Sequence, residues 1–354
     1  MSAPTSRRFR FFQWNDLHVR DRNVPGRTGG YPGCNEKAAW LAAVTRGEVA
    51  DIEPPDFVAS VGDLICGQID DYGDDFRFFQ RLVGGRLVHD GLEVPVLPCV
   101  GNHENRQGEG VAELNAAYDT CHGPGWHNYL YTVGGFAFVV VDTSGAHRTA
   151  DDITAARCAF VERAVERAGD MPVILLTHVP LVAMRQEEAL IPSFGFSSWK
   201  VVDESLLDLV TRHADRVVAV LCGHIHITGV RVVEGVYHVM PSGTAGYPAD
   251  FASYDVYEDR IDVVMHRAPA PLIGDREAGN IHGARRHGID YTDAEHSDHE
   301  SYLSGNPGER SFSIPLEGAR RPDVQASCAV EVFREDEAGY WRRVDLPGGT
   351  SLMS

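Results

Sequence analysis

Short runs of Val, Ile, Leu and Phe recur along the first three quarters of the chain, separated by stretches with helical periodicity. The runs are continuously apolar, which is typical of strands that are buried on both faces of a sheet. Such a sheet needs helices to cover it, so the pattern predicts a layered α/β protein. We expect strands near residues 9–14, 57–61, 94–100, 136–141, 173–176 and 217–221, and helices near 36–47, 74–89, 153–168 and 203–213.

Polar side chains with metal-binding chemistry follow five of these runs. In covered α/β sheets the functional site lies just beyond the carboxyl ends of the strands, so we expect these side chains to lie together. A single His or Asp after a strand is more often a turn residue or a helix cap, but five such endings are hard to ascribe to capping. The residues are Asp16 and His18, Asp63, Asn102 and His103, His178, and His224 and His226.

Glycine directly precedes a candidate ligand at Gly62, Gly101 and Gly223. A residue without Cβ permits a tight turn and a close approach to an ion. The glycines therefore add to the interpretation of these strand ends as one site.

The ordered motifs Asp16-x-His18, Gly62-Asp63, Gly101-Asn102-His103-Glu104, His178 and Gly223-His224-x-His226 resemble those of the calcineurin-like metallophosphoesterase superfamily. The resemblance covers residues 8–267 and implies a four-layer α/β/β/α sandwich. It also implies a dinuclear centre, in which Asp16, His18 and His226 hold the first ion, Asn102, His178 and His224 hold the second, and Asp63 bridges both. His103 would face the substrate, and Glu104 receives no role.

The expected cofactors are two divalent or trivalent transition-metal ions, with Mn, Fe or Zn favoured. Imidazole, carboxylate and amide ligands suit such ions better than copper or calcium. Two ions can clamp the attacking and leaving oxygens of an in-line displacement. The expected reaction is attack of a metal-bridging hydroxide on a small phosphoester, with catalytic His103 assisting the leaving group.

The substrate class is less sharply defined than the chemistry. The motif set resembles the small bacterial cyclic-nucleotide and glycerophosphodiester branch, which favours a phosphodiesterase. A phosphomonoesterase on the same site is the alternative, because the ligands do not define what is attached to phosphorus. In the purple acid phosphatase branch a tyrosine three residues after the bridging Asp ligates iron; here that position is Cys66, which argues against a Tyr-ligated iron centre.

The formal net charge of −19 weighs against a nuclease of the same superfamily, since a basic groove is expected for nucleic acid. The other rival is a non-catalytic interaction module on the same fold. Such relatives usually lose ligands or the substrate-facing histidine, and this chain retains all of them. We therefore expect a small phosphoester as the partner, and no nucleic acid.

Three further residues are candidate substrate contacts. Arg20 and Arg22 follow the first motif and could meet a phosphate, with surface arginine as the alternative. His127 lies in residues 105–128, which we interpret as pocket wall or as solvated loop. Residues 185–198 are expected to form a loop over the site.

Composition and cysteine usage predict a cytoplasmic protein. The apolar fraction of 43% is that of an ordinary globular chain, and no apolar run is long enough for a membrane helix. The start is polar and basic and has no signal-peptide core. The 7 cysteines form no CxxC pair, in agreement with reduced thiols.

Residues 1–267 are expected to form the catalytic domain and residues 268–354 a C-terminal extension. Residues 268–310 appear irregular, and their histidines at 282, 287, 296 and 299 match no metal-ligand template. Residues 311–316, 328–333 and 340–346 alternate like short strands, the last two as a hairpin. The extension is expected to pack on the core as a lid or as a subunit contact in a homo-oligomer.

Overall fold

The computed structural model describes residues 6–21, 31, 33–67, 72–83, 87–90, 92–104, 118–119, 122, 124–146, 152–194, 200–273 and 290–346. Its strands are β1 Phe9–Trp14, β2 Phe57–Val61, β3 Val88–His89, β4 Leu92–Glu93, β5 Val96–Cys99, β6 Tyr129–Val133, β7 Phe136–Val141, β8 Val173–Thr177, β9 Val217–Leu221, β10 Gly229–Val233, β11 Val236–Met240, β12 Asp250–Val256, β13 Arg260–Arg267, β14 Ser311–Pro315, β15 Glu331–Glu335 and β16 Trp341–Val344. The α-helices are α1 Cys34–Thr45, α2 Tyr72–Val83, α3 Asp152–Ala168, α4 Glu187–Phe194, α5 Ser205–Arg212, α6 Ala270–Ile273, α7 His299–Ser304 and α8 Pro307–Arg310.

Two large sheets carry the fold. The first has the strand order β14-β13-β12-β1-β2-β5, and the second has the order β10-β11-β9-β8-β7-β6-β15-β16. The central strands β1, β2 and β5 run parallel to one another, as do β7, β8 and β9. Parallel strands end at the same edge of a sheet, so each sheet presents several carboxyl ends together.

The inner faces of the sheets pack against each other through aromatic rings. Phe11 of β1 lies 5.3 Å from Phe138 of β7, measured between ring centroids, and Phe57 of β2 lies 5.8 Å from Tyr131 of β6. Side chains alternate across a strand, so Phe12 points the other way and packs on Phe251 of β12.

Helices cover the two outer faces. Trp40 of α1 packs on Phe251 of the first sheet. The helices α3 and α5 pack through residues such as Val165 and Leu209 on the outer face of the second sheet. The layers are therefore helix, sheet, sheet and helix, as the resemblance implies.

The C-terminal strands join both sheets. β14 pairs antiparallel with β13 of the first sheet. The β15–β16 hairpin pairs through β15 with β6 of the second sheet. Two expectations for other segments are wrong. Residues 187–194, part of the expected loop, form helix α4. Residues 299–304 and 307–310, part of the segment expected to be irregular, form α7 and α8.

No described helix is both long enough and apolar enough to cross a lipid bilayer. The six cysteines in the described ranges are free thiols, namely Cys34, Cys66, Cys99, Cys158, Cys222 and Cys328.

Candidate metal centre

The turns after β1, β2, β5, β8 and β9 bring the eight candidate side chains of the strand ends to one edge of the sandwich. Backbone hydrogen bonds tie these turns together. The amide of Asp16 donates to Gly62 O at 3.0 Å, and that of Gly223 donates to His178 O at 2.9 Å. Segments that are far apart in sequence therefore lie in direct contact at this edge.

Asp16, His18, Asp63 and His226 form a compact, buried cluster. Each offers one ligand atom, and these atoms lie within 4.8 Å of one another. His226 Nε2 is 3.2 Å from Asp16 Oδ1, and His18 Nε2 is 3.4 Å from Asp63 Oδ2. The two Nε2 atoms of His18 and His226 are 3.1 Å apart.

A second cluster adjoins the first. Asn102 Oδ1 lies 2.8 Å from His224 Nδ1 and 3.1 Å from His178 Nε2. His178 Nε2 is also 3.2 Å from Asp63 Oδ2. The same carboxylate oxygen of Asp63 thus faces His18 of the first cluster and His178 of the second.

These donor sets fit transition-metal ions. Ligand atoms that share one ion through bonds of about 2.0–2.2 Å lie no more than about 4.4 Å apart, close to the 4.8 Å within which the atoms of the first cluster lie. Two imidazole nitrogens that face each other among carboxylates also need a cation or a proton between them. The nitrogen and oxygen donors match borderline ions such as Mn, Fe or Zn.

Electrostatics keep the acidic ligands ionised. Burial alone would raise the pKa of Asp63 and Asp16, but the neighbouring histidines outweigh it and hold both pKa values well below the usual range. Burial also opposes a charge on His178, yet the carboxylates of Asp63 and Asp16 raise its pKa to about 10. Burial lowers the pKa of His18 to about 4, so this ring is neutral and ready to bind a metal.

The backbone at the site is strained, and two glycines make room for it. Asp16, His18, Asp63, His224 and His226 all have positive φ, between 45° and 80°. Strain of this kind clusters at functional sites. A Cβ at Gly101 would lie 2.2 Å from Asp63 Oδ1, and one at Gly223 would lie 2.6 Å from Asp16 Oδ2, so a larger residue would displace both carboxylates.

Glu104 is a residue whose role the sequence did not reveal. Its buried carboxylate accepts the backbone N–H groups of Asp63 at 2.8 Å, Ile65 at 3.0 Å and Gly101 at 2.8 Å. Burial, reinforced by the charge of Asp63, raises its pKa to about 8. Glu104 therefore fixes two ligand-bearing turns, and its place in the Gly101–Glu104 motif was the only signal for it.

His103 contacts the centre without joining either cluster. Its backbone N–H donates to Asp63 Oδ1 at 2.9 Å, and its Nδ1 hydrogen-bonds to Cys66 O. A carbonyl only accepts, so Nδ1 carries a proton and Nε2 is the nitrogen that faces the centre, 3.8 Å from Asp63 Oδ2.

The three candidate substrate contacts have different placements. Arg20 is 5% exposed, so it is not a surface arginine, and its backbone N–H and C=O both bond to the Asn35 side chain. His127 lies between Asp142 and Asp119, at 3.3 and 3.2 Å, so both ring nitrogens face carboxylates. Arg22 lies outside the described residues, as does most of the 105–128 segment.

The sequence matches the family model described as calcineurin-like phosphoesterase over residues 9–228, more than half of the chain. A dimetal phosphatase structure from Danio rerio has 16% identity and a TM-score of 0.51, covering 74% of this chain and 97% of that one. GAP50, described as the anchor in the inner membrane complex of Plasmodium, has 13% identity and a TM-score of 0.50, covering 78% and 90%. At these identities the likeness shows the fold. The chain matches none of the curated proteins with which it was compared.

Proposed function

Because the chain belongs to the calcineurin-like phosphoesterase family, we propose that it hydrolyses a small phosphodiester at a dinuclear metal centre. Family membership makes it a metal-dependent phosphoric ester hydrolase. The diester preference, the metals and the roles of individual residues are parts of the proposal.

The observation that carries the proposal is the position of the Asp63 carboxylate. Its Oδ2 lies 3.4 Å from His18 Nε2 and 3.2 Å from His178 Nε2, between two groups of donors. The fold alone does not distinguish an enzyme from a structural protein, because one similar structure is described as a phosphatase and another as an anchor. A shared carboxylate between two intact donor sets supports catalysis over a purely structural role.

In this proposal Asp16, His18 and His226 would hold one ion, Asn102, His178 and His224 would hold the other, and Asp63 would be shared between them. When bound, the ions supply Lewis acidity and make hydroxide available as a nucleophile near neutral pH. The protein contributes fixed ligand positions, since the Asp16 carboxylate accepts from the Asn15 side chain at 2.6 Å and from the His224 amide. Rigid ligands of this kind orient the reacting groups.

His103 is the proposed general acid. Its Nδ1 is hydrogen-bonded to Cys66 O, which directs Nε2 towards the substrate position. A protonated Nε2 can donate to the departing alkoxide oxygen and release its proton as the P–O bond breaks. Arg20, Arg22 and His127 remain proposed substrate contacts. Arg20 has the best support, because it is buried and follows His18 by two residues in the sequence.

The charge of the chain favours a diester. A phosphodiester carries one negative charge, whereas a monoester carries about 1.5–2 at neutral pH. A chain of net charge −19 repels the more highly charged substrate more strongly. This supports the diester, and the monoester is the alternative that the experiment below must separate.

The test is hydrolysis of bis-p-nitrophenyl phosphate and of p-nitrophenyl phosphate by metal-stripped protein that is resupplied with Mn, Zn, Fe or Co. We expect turnover of the diester only with added metal, at a higher kcat/KM than for the monoester. Asp63→Asn, assayed alongside, controls for contaminating phosphatases. A higher kcat/KM for the monoester would contradict the phosphodiester proposal, and metal-loaded protein inactive on both esters and on a wider phosphoester panel would contradict hydrolysis.

A further inference from the structure

Tyr31 lies against the metal centre, although no motif of the sequence includes it. Its ring centroid is 4.3 Å from that of His18, 5.4 Å from that of His226 and 6.4 Å from that of His103. These are two proposed ligands of one ion and the proposed general acid. The ring therefore covers the side of the centre from which His103 approaches.

The phenol of Tyr31 lies beside the centre, because its ring packs on that of His18. The ordinary pKa of a tyrosine is about 10, so the phenol of Tyr31 keeps its proton near neutral pH. The residue is also anchored to the turn after β2, because its backbone hydrogen-bonds to the Cys66 thiol. A neutral phenol beside the centre is a hydrogen-bond donor.

We propose that Tyr31 is a substrate-binding residue that donates a hydrogen bond to a phosphoryl oxygen of the bound ester, beside His103. The proposal rests on phosphoester hydrolysis as the function. A transferring phosphoryl group spreads negative charge over its outer oxygens, and a preorganised donor stabilises that charge. His103 would donate to the leaving oxygen, which leaves the oxygens that stay on phosphorus for the metal ions and for a second donor.

Direct ligation of a metal by Tyr31 is the competing role. Asp16, His18, Asp63 and His226 already provide converging atoms within 4.8 Å of one another, which suffices for one ion. The ring of Tyr31 packs on the His18 ring at a 41° tilt, so it contributes packing beside that donor set. Ligation would give an iron-loaded protein a visible phenolate-to-iron absorption band, which makes the two roles separable.

The experiment compares Tyr31→Phe with the wild type. Inorganic phosphate is the probe, titrated by calorimetry into manganese-loaded protein, with metal content and manganese affinity measured in parallel. We expect the variant to bind phosphate about 10- to 100-fold more weakly, as befits one hydrogen bond to a charged group. Manganese content and affinity should match the wild type, and kcat/KM for the diester should fall by a similar factor.

Tyr131→Phe is the matched control. Tyr131 lies in the core between the sheets, and its hydroxyl has no hydrogen-bond partner among the described residues. This variant should bind phosphate and manganese like the wild type, so a change in both variants would indicate a general loss of structure.

Two results would overturn the proposal. One is phosphate affinity and kcat/KM in Tyr31→Phe within about twofold of the wild type. The other is a visible band in the iron-loaded wild type that disappears in Tyr31→Phe together with metal affinity, which would make Tyr31 a ligand. A wild type that binds phosphate but hydrolyses no ester would contradict the function, while the phosphate affinities would still test Tyr31.

Discussion

Asp63 and His103 are neighbours with different predicted roles. His103 Nε2 lies 3.8 Å from Asp63 Oδ2, yet only Asp63 lies between the two donor sets. We expect His103→Ala to retain metal and to slow turnover by about 10²–10⁴-fold, the usual contribution of a general acid. Asp63→Ala should lose metal and activity together. Metal content by mass spectrometry and kcat on a dialkyl phosphodiester measure the contrast.

The leaving group provides the control for His103. An ester with a weakly basic leaving group, such as p-nitrophenol, needs little protonation, whereas an alkyl alcohol needs much more. The loss in His103→Ala should therefore be larger for a dialkyl phosphodiester, which releases an alkyl alcohol, than for bis-p-nitrophenyl phosphate, which releases p-nitrophenol. Equal losses, or an empty metal site in this variant, would contradict the role of general acid.

Glu104 has no proposed catalytic role, but its hydrogen bonds hold two turns that carry proposed ligands. Its carboxylate accepts from the amides of Asp63, Ile65 and Gly101, whereas a glutamine would present an NH₂ group to some of these donors. We expect Glu104→Gln to weaken metal binding by about 10- to 100-fold. Calorimetric titration of manganese measures this, with Glu93→Gln at an exposed position of β4 as the control. Unchanged metal affinity would show that Glu104 does not position Asp63.

His238 couples the stability of the fold to pH. Its ring on β11 is fully buried, and neither nitrogen has a hydrogen-bond partner among the described residues. Burial lowers its pKa to about 4, from an ordinary 6.5. The unfolded chain therefore binds a proton more readily than the folded one, so the stability present above pH 6.5 is lost as the pH falls towards 4.

His238→Leu should remove this pH dependence. The shift in pKa of His238 corresponds to about 2 kcal/mol of stability lost between pH 7 and pH 5. Urea unfolding at both pH values should therefore show a smaller decrease for the variant than for the wild type. An equal decrease in the two proteins would mean that His238 does not resist protonation.

At the scale of the elements, strands were easier to predict than the chain between them. The strands at 9–14, 57–61, 136–141 and 217–221 have the predicted bounds, because burial on both faces leaves a continuous apolar run. β13 is not in the predicted set, since it is partly exposed and its buried positions alternate with more exposed ones. Helix α2 ends at Val83, before the predicted 89, where the sequence carries Gly84 and Gly85.

The candidate site was also easiest to predict where its residues follow buried strands. Every candidate ligand stands directly after a strand, so its location could be predicted from the sequence. Tyr31 lies in the same connection between β1 and α1 as His18, but nothing in the local sequence reveals that the two rings pack on each other. Similarly, the carboxylates that flank His127 come from Asp119 and Asp142, in separate parts of the chain.

A buried ion cluster joins the extension to the turns that carry the ligands. It consists of Arg185, Asp293, His296 and Glu309. His296 bonds to Asp293 at 2.7 Å and to Glu309 at 2.8 Å, and Glu309 also faces Arg185. Arg185 donates to the carbonyl of Thr228 at 2.6 Å, two residues after His226. The extension thus contacts the turn that holds a proposed ligand.

Glu309→Gln should destabilise the protein by about 2–4 kcal/mol, because it leaves the buried Arg185 without its carboxylate. Urea unfolding at neutral pH measures the loss. The exposed pair of Arg343 and Glu331, 3.0 Å apart, provides the control, and Glu331→Gln should cost less than about 1 kcal/mol. Equal effects of the two substitutions would mean that the cluster contributes no more than a surface ion pair.

At the scale of the whole molecule, the extension is part of both sheets. β14 extends the first sheet, and β15 with β16 extends the second, so the C-terminal strands link the two layers at their edges. An edge strand with unpaired backbone groups invites association with another chain, and β15 covers that edge of β6. The role of the extension as a lid or a subunit contact stays a prediction.

The net charge of the molecule bears on its partners. A chain of −19 lacks the overall attraction for nucleic acid that a nuclease uses, whereas two bound cations reverse the field only locally. Binding of a small diester requires only the local positive field of the two cations. The salt dependence of the reaction therefore separates the two substrate classes.

We expect kcat/KM for a small diester to change by less than about threefold between 50 and 200 mM salt, because a single phosphate contact releases few counterions. A nuclease with six or more phosphate contacts would lose about 10³-fold in affinity over the same range. Initial rates at constant metal concentration measure the slope, with single-stranded DNA as the competing substrate. Efficient, steeply salt-dependent cleavage of DNA would mean that a local basic surface outweighs the net charge of −19, and would reassign the enzyme to the nucleases.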